Sequence, residues 1–452
     1  MSMYLNNKNI SIVGGGLVGS LLSIYLKKQG AKVSVFDKRM DLRVNSLLGT
    51  RSINLALSNR GIQALQKIGI KNSIMEIAMP MYKRIIHAIN GDLTEQSYGK
   101  EKQAIYSISR QILNTKLIDL AEDNKVDFYF NHECVGVDFI KTELNFKNTS
   151  SMRYDYIFGS DGYGSVVRKC IKKAQHDINV SEEQIGYGYK ELTIAAYQDG
   201  THQLANDALH IWPRKSFMLI ALPNLDGTFT CTLFARLKGE NSFDSLTNKI
   251  DVKSFFSNYF SDLTESVPDI TDQFFNNPLS SLGFVRSSSW KYHNTFLIGD
   301  ACHATVPFYG QGMNAGFEDC YLLNNWINQN KSINNHSIGQ FLQQRIIDTT
   351  AMQDLSMSNF VEMRDKTANP NFLLQKKIED WFSEKHPDKW IPLYSMVTFS
   401  HMGYQQAMLK GKSQDVIMND VMIKNNLFDD FDINDLENKK IEQQILDRIN
   451  KL

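Results

Sequence analysis

Asn9-Ile10-Ser11-Ile12-Val13-Gly14-Gly15-Gly16-Leu17-Val18-Gly19 is the stretch whose reading decides the fold. The apolar run predicts a buried strand, and Gly14-x-Gly16-x-x-Gly19 opens a helix with Leu21, Leu22, Tyr25 and Leu26 on its apolar side. After a break at Gly30, Lys32-Val33-Ser34-Val35-Phe36 reads as a second strand ending in Asp37, 23 positions beyond Gly14. Strand, glycine turn, helix, strand and acid, with about 20 residues from turn to acid, form the pattern of a dinucleotide-binding βαβ unit. Glycines at 14, 16 and 19 let a pyrophosphate approach the backbone, and the helix N-terminus favours its charge. The Asp37 carboxylate is then placed to accept from the ribose hydroxyls of an adenosine.

Two later segments repeat the theme of a strand that ends in an acid. Tyr156-Ile157-Phe158-Gly159 leads to Asp161 and a Gly162 turn. Phe296-Leu297-Ile298 leads to Gly299-Asp300, a loop through Pro307, and a helix from near Gly312. Asp300 can accept from a polyol or ribose, while the first N–H groups of that helix, at Gly312, Met313 and Asn314, can face an anion. Both acids lie at strand carboxyl ends, where one ligand can meet them.

Outward from these motifs the texture changes. A helix is expected from about Asn59 to Ile68, strands from Met81 to Tyr98 around a Gly91 turn, and two more strands between Val126 and Val137. From Gly186 to Leu237 the chain reads as an inserted antiparallel sheet, with turns at Pro213-Arg214 and Asp226-Gly227 and aromatics assigned to its core. After Ile338 a helical run is expected through Lys377, with Asn359, Glu362 and Met363 on one face. The tail from Phe428 ends in an amphipathic helix carrying Ile441, Ile445 and Ile449, read as solvated or packed on a partner.

Composition excludes several classes. The 452 residues carry 49 basic and 49 acidic side chains, which leaves no electrostatic footprint for nucleic acid. Five cysteines, Cys134, Cys170, Cys231, Cys302 and Cys320, show no metal-ligand spacing, so reduced thiols fit better than disulfides or zinc, and no metal is expected. With no signal-peptide pattern and no run approaching the ~18 apolar residues of a membrane span, a cytoplasmic location is expected.

The three motifs together, Gly14-x-Gly16-x-x-Gly19 with Asp37, Asp161-Gly162, and Gly299-Asp300 with Pro307, resemble the aromatic-ring-hydroxylating flavoprotein monooxygenases. The longer strings from Arg51 to Ser58, Leu209 to Arg214, Pro307 to Cys320 and Met396 to Phe399 are similar to the kynurenine 3-monooxygenase family within that group. The resemblance covers roughly residues 8 to 410. It implies an α/β fold: a Rossmann-like FAD-binding domain with an inserted antiparallel-sheet substrate domain and a C-terminal helical region. The expected bounds are residues 1–180 for the FAD-binding domain, with 76–100 contributing to the substrate site, then 181–285 for the sheet. Residues 286–375 return to the FAD-binding domain, and 376–452 are helical.

The resemblance further implies that FAD is held by Val18, Asp37, Arg39, Ala56, Arg110, Asp300, Met313 and Asn314, with Cys134 near the adenine. It implies that Arg84, Tyr98, Asn359 and Tyr394 hold the amino-acid end of L-kynurenine, with Phe308 and Met363 near its ring. The implied reaction uses transient NADPH and O2 to hydroxylate the ring through a C4a-hydroperoxide of the flavin, with no protein side chain as catalytic base. Two other readings stay open: hydroxylation of another aromatic carboxylate such as an anthranilate, and an FAD-binding sensor without turnover. Oligomeric state is open as well. Cys302 and Tyr309 depart from the alanine and phenylalanine common in the family, and the hydrophobic C-terminal anchor of its mitochondrial members is not found.

Overall fold

The Asn9–Val13 strand is buried from Ile10 onward and lies between two parallel neighbours, Lys32–Phe36 and Tyr156–Gly159. Helices covering both faces account for the nearly continuous apolar sequence of these strands. In this computed structural model, which describes residues 3–44, 53–98, 103–333, 335–362, 370–427 and 438–451, they belong to a six-stranded sheet. Thr295–Leu297 and Asp127–Tyr129 extend it in parallel on either side, and Lys291–Tyr292 adds an antiparallel edge. The Leu17–Lys28 helix, carrying buried Leu21, Leu22, Ile24 and Tyr25, makes the crossover between the first two strands.

A seven-stranded sheet forms the second layer, in the order Ser280–Ser287, Val180–Ile194, Phe229–Arg236, Phe217–Pro223, Ala208–Arg214, Lys83–His87 and Leu93–Ser97. Its last two strands come from much earlier in the chain. The pairing of Ala208–Arg214 with Lys83–His87 is parallel, so the sheet expected to be antiparallel is mixed at that seam. Pro213 and Arg214, expected in a turn, end a strand instead, with Arg214 opposite Phe217 and Lys215 taking the positive φ of 57°. Trp212, Leu219, Phe229 and Leu233 pack one face of this sheet on Phe255, Phe256, Phe260 and Phe274 of the Lys249–Tyr259 and Ile270–Asn276 helices and the turn between them.

Of the helical run expected beyond residue 338, the described residues form the helices Asn335–Val361 and Pro370–Lys385; Met363 lies outside the described residues, as do Arg51 and Ser52. The tail helix Asn438–Ile449 is not a solvated appendage. Its Ile441 and Ile445 are buried with Ile378, Phe382, Trp390, Met418 and Val421, and Ile449 packs at their edge, because three amphipathic helices can close a core that one cannot. Among the described residues no helix is long and apolar enough to cross a membrane.

Candidate active site

Three glycines of the first turn do three different jobs. Gly14 has φ of 105°, and a Cβ there would lie 2.5 Å from the Ser160 carbonyl oxygen and 2.9 Å from Asp161 Cα. Gly19 lets the helix seat on the turn, since its Cβ would stand 2.0 Å from the Gly14 oxygen. At Gly16 a Cβ would meet nothing within 4 Å, and no side chain caps the helix that starts after it. Open space over uncapped N–H groups at a helix N-terminus fits a pyrophosphate.

Asp37 closes the turn from the far side. Its Oδ2 accepts from the Gly15 N–H at 2.9 Å, and Arg39 reaches both of its oxygens at 3.0 and 2.8 Å. Burial alone raises this carboxyl, but the Arg39 hydrogen bond and charge and the two backbone N–H groups outweigh it and hold the pKa below the ordinary value. Arg39 thus orients the acid expected to take the ribose. Cys134 is buried, donates weakly to the Gly136 carbonyl at 3.5 Å, and has its pKa pushed up to about 12 by burial, so it is a neutral thiol.

The other motifs converge on the same helix start. Val18 is wedged against Gly299 and Gly316: a Cβ on Gly299 would approach its methyls to 3.1 Å and one on Gly316 to 2.5 Å. Asp300 follows Gly299 as the first residue of a one-turn helix, Asp300–His303, and its exposed carboxylate has no protein partner among the described residues. Asp161 is engaged differently. Its two oxygens accept from Ser165 Oγ at 2.5 Å and from the Val166 and Val167 N–H groups at 2.6 and 3.2 Å, so it caps the Val166–Ala174 helix and shapes the turn beside Gly14 rather than presenting a free carboxylate.

Asn314 shows the same economy. Its amide donates to the carbonyls of Ala56 and Gly310, both at 2.8 Å, and accepts from the Ser58 N–H at 2.9 Å. The side chain is fully committed to clamping the Asn54–Leu57 strand onto the Pro307–Gly310 loop, which leaves its backbone N–H for an anion. The Gly312–Asn330 helix begins beside it with no side-chain cap, and Met313 packs part-buried on the core. Arg110 opens the Arg110–Asp123 helix with an exposed side chain.

At the other end of the Pro307–Gly310 loop three phenol rings form a column. Tyr98 stacks on Tyr394 at 5.5 Å and 15°, and Tyr394 on Tyr309 at 5.6 Å and 19°. The Arg84 guanidinium lies over the faces of Tyr394 and Tyr98, 4.2 and 5.1 Å from their centroids. Among the described residues no carboxylate pairs with it. Burial lowers the pKa of Arg84, yet the neighbouring Tyr394 and Tyr98 outweigh it and the group stays a cation. The Tyr98 hydroxyl is buried and makes no hydrogen bond of ordinary geometry within the protein, although Arg84 and Tyr394 lie beside it, and burial raises its pKa, so it is a neutral hydroxyl. A part-buried cation beside a buried, unsatisfied hydroxyl fits the carboxylate of a ligand.

Phe308 is buried against Phe360, stacked at 4.2 Å, and Phe234 at 5.2 Å. Asn359 donates to the Phe308 carbonyl at 2.6 Å, so the structure uses it to fix the loop that carries Phe308. Tyr309, which the sequence marked only as a departure from the family's phenylalanine, is the third ring of the column.

A buried ionic lattice underlies both ends. Arg345 reaches Asp319 at 2.7 Å, Asp348 at 3.0 Å and Glu318 at 3.2 Å; Arg60 reaches Glu318 at 2.7 Å; His303 contacts Asp319 at 2.6 Å. Arg60 also donates to the Val397 and Met402 carbonyls. The lattice ties the helix after Asp300 to the Gly312–Asn330 helix and to the segment bearing Tyr394. Its only trace in the sequence is two adjacent acids, Glu318-Asp319, amid apolar neighbours.

The FAD binding domain family model matches residues 7–329. Kynurenine 3-monooxygenase of Flavobacterium johnsoniae is 47% identical over 96% of this chain and 98% of its own length, and that of Christiangramia forsetii is 46% identical over 98% and 99%. This chain belongs to the kynurenine 3-monooxygenase family. Among solved structures, the tetrameric form of 2-methyl-3-hydroxypyridine-5-carboxylic acid oxygenase superposes with a TM-score of 0.65 at 19% identity, covering 85% of this chain and 98% of that one, which extends the likeness in fold. The family membership accounts for why the Gly14, Asp161 and Asp300 motifs meet around one helix start.

Proposed function

We propose that the protein binds FAD and, with NADPH and O2, hydroxylates L-kynurenine at the ring carbon beside the amino group to give 3-hydroxykynurenine. The observation that carries the substrate reading is Arg84, a part-buried guanidinium with no carboxylate partner among the described residues, beside the buried, unsatisfied Tyr98 hydroxyl. An α-amino acid has the carboxylate this pair lacks.

FAD, when bound, takes electrons from NADPH and activates O2. Gly14, Gly16, Val18 and Gly19 receive its pyrophosphate, Asp37 its ribose, and Asp300 its polyol chain, with Arg39, Ala56, Arg110, Cys134 and Asp161 shaping the surrounding walls. The uncapped N-terminus at Gly312, Met313 and Asn314 directs partial positive charge to the ring end. Arg84, Tyr98 and Tyr394 hold the amino-acid end of the substrate. Phe308, in its apolar cluster with Phe360 and Phe234, keeps water from the place where oxygen is transferred, and Asn359 holds its loop in position. The substrate's own aromatic amine supplies electron density to the ring, so no protein base is required. The same reading takes 1–180 with 286–375 as one FAD-binding unit, 181–285 as the substrate sheet and 376–452 as its helical cover, in a cytoplasmic protein.

Purified protein mixed with FAD, NADPH, O2 and L-kynurenine tests this by product mass. A gain of one oxygen on kynurenine is expected. NADPH consumption with peroxide as the only product, or a larger turnover of an anthranilate, would refute the substrate assignment.

A further inference from the structure

Leu209–Arg214, one of the strings that mark the family, sends no polar side chain into the cofactor cradle or the tyrosine column. Its polar groups turn to the opposite face of the strand that carries Arg84. Side chains alternate along a strand, so Arg84 faces the column while His87, three residues on, faces the other way. There the His87 ring stacks on Trp212 at 3.9 Å, and both are buried.

The hydrogen bonds around His87 form one chain. Its Nδ1 lies 2.9 Å from Asp262 Oδ2, and its Nε2 lies 2.9 Å from His210 Nδ1. His210 Nε2 lies 2.9 Å from the Ala205 carbonyl oxygen. Trp212 Nε1 donates to the same Asp262 oxygen at 2.8 Å. Both ends of the chain, a carboxylate and a carbonyl, only accept. Three links therefore need three ring protons, and two neutral imidazoles carry two. His210 must donate to Ala205 through Nε2, so its Nδ1 accepts, and His87 must donate at both nitrogens.

The same residues lock the strand from behind. Arg214 donates to the His87 carbonyl at 2.8 Å and to the Tyr259 carbonyl at 2.5 Å, and Leu209 pairs in register with Arg84 itself. Asp262 sits on the Ser261–Thr264 turn of helix, so the chain joins the Arg84 strand to the helical layer beneath.

We propose that His87, protonated on both nitrogens between Asp262 and His210, is a positioning residue that fixes the strand bearing Arg84 and so tunes the grip on the substrate's carboxylate. This rests on the reading that Arg84 holds that carboxylate. The charged groups facing the pair are Asp262, Asp207, Lys83 and Arg214. Burial lowers the His210 pKa to about 4, so only below that does it take a second proton and set two N–H groups against each other.

Two measurements on the FAD-loaded protein test the proposal. In 15N NMR of histidine-labelled protein at pH 7.5, one imidazole is expected with both nitrogens protonated, and its signal is expected to vanish in His87→Asn. A His87 with one bare nitrogen overturns the proton count. Asp262→Asn keeps an oxygen for Trp212 and removes the charge. It is expected to raise KM for L-kynurenine about fivefold with kcat within about twofold. A wild-type KM, or a kcat that falls with it unchanged, overturns the positioning role. An unchanged KM in Arg84→Met would instead sink the carboxylate reading, while leaving the NMR result intact.

Discussion

The cofactor cradle and the tyrosine column meet at Pro307–Gly310, but the first is built from backbone and the second from side chains. In the cradle a Cβ added at Gly14, Gly19, Gly299 or Gly316 presses on a carbonyl oxygen or on Val18, and Asp161 and Asn314 spend their polar atoms holding chain segments in place. In the column Arg84, Tyr98, Tyr309 and Tyr394 touch face to face, and the Tyr98 hydroxyl is left unsatisfied. A cradle made of backbone accepts or rejects its ligand as a whole, whereas stacked side chains can be tuned one at a time.

The largest effect is expected where both regions share a foundation. Arg345→Ala would leave Asp319, Glu318 and Asp348 buried around a lost cation, at a cost of about 3–5 kcal/mol. Urea unfolding measures it, and a loss below about 1 kcal/mol would mean that the two regions stand independently. Burial raises the Asp319 carboxyl, but His303 and Arg345 outweigh it and bring it down to about 2. With the folded value below the unfolded one of about 3.9, its stabilisation is present above that value and fades as pH falls toward about 2. Acid unfolding of Arg345→Ala should therefore begin at higher pH than in the wild type.

Within the cradle, Gly19→Ala and Gly16→Ala separate packing from ligand approach. The first forces a contact 2.0 Å from the Gly14 oxygen and should lower stability by about 2–3 kcal/mol along with FAD binding. The second meets nothing in the protein, so unfolding of the FAD-free protein should shift by no more than about 0.5 kcal/mol while FAD affinity drops about tenfold or more. Equal effects from both in FAD titration and FAD-free unfolding would remove Gly16 from the phosphate site.

Changes in the column should act on substrate alone. Arg84→Met should keep FAD and raise KM for L-kynurenine about 10- to 100-fold, the equivalent of one charge-assisted bond of about 1.5–3 kcal/mol. Tyr98→Phe removes a hydroxyl that has no protein partner, so thermal stability should hold or rise while KM increases about fivefold, near 1 kcal/mol. If Tyr98→Phe instead lowered the melting temperature with KM unchanged, the hydroxyl would serve the fold rather than the ligand.

Much of the cradle was legible in the sequence because its signals are short in range. Gly14 to Gly19, Asp37 and the strand ends at Asp161 and Asp300 follow from hydrophobic period and turn chemistry, and each falls at the predicted strand end or turn. What those acids do was less legible. That Asp161 caps a helix depends on where Ser165, Val166 and Val167 turn back, and that Asn314 spends its amide on Ala56 and Gly310 depends on a contact across more than 250 residues. Tyr309 stood out only as a departure from the family's phenylalanine, because stacking on Tyr394 leaves no periodic mark, and Pro213-Arg214 read as a turn because its partner strand could not be seen.

By itself the sequence determined a βαβ nucleotide unit, its glycine turn, its acid and a family resemblance carried by long strings, all matters of local spacing and backbone sterics. Only the tertiary structure decided that the Arg84 strand, with the Leu93–Ser97 strand beside it, joins a sheet whose other strands begin a hundred residues later. The same assembly closed the last helix onto a three-helix core and gathered Arg60, Glu318, Asp319 and Arg345 in the interior. Those outcomes turn on which distant surfaces bury one another, and burial is a property of the assembled chain that no single segment carries.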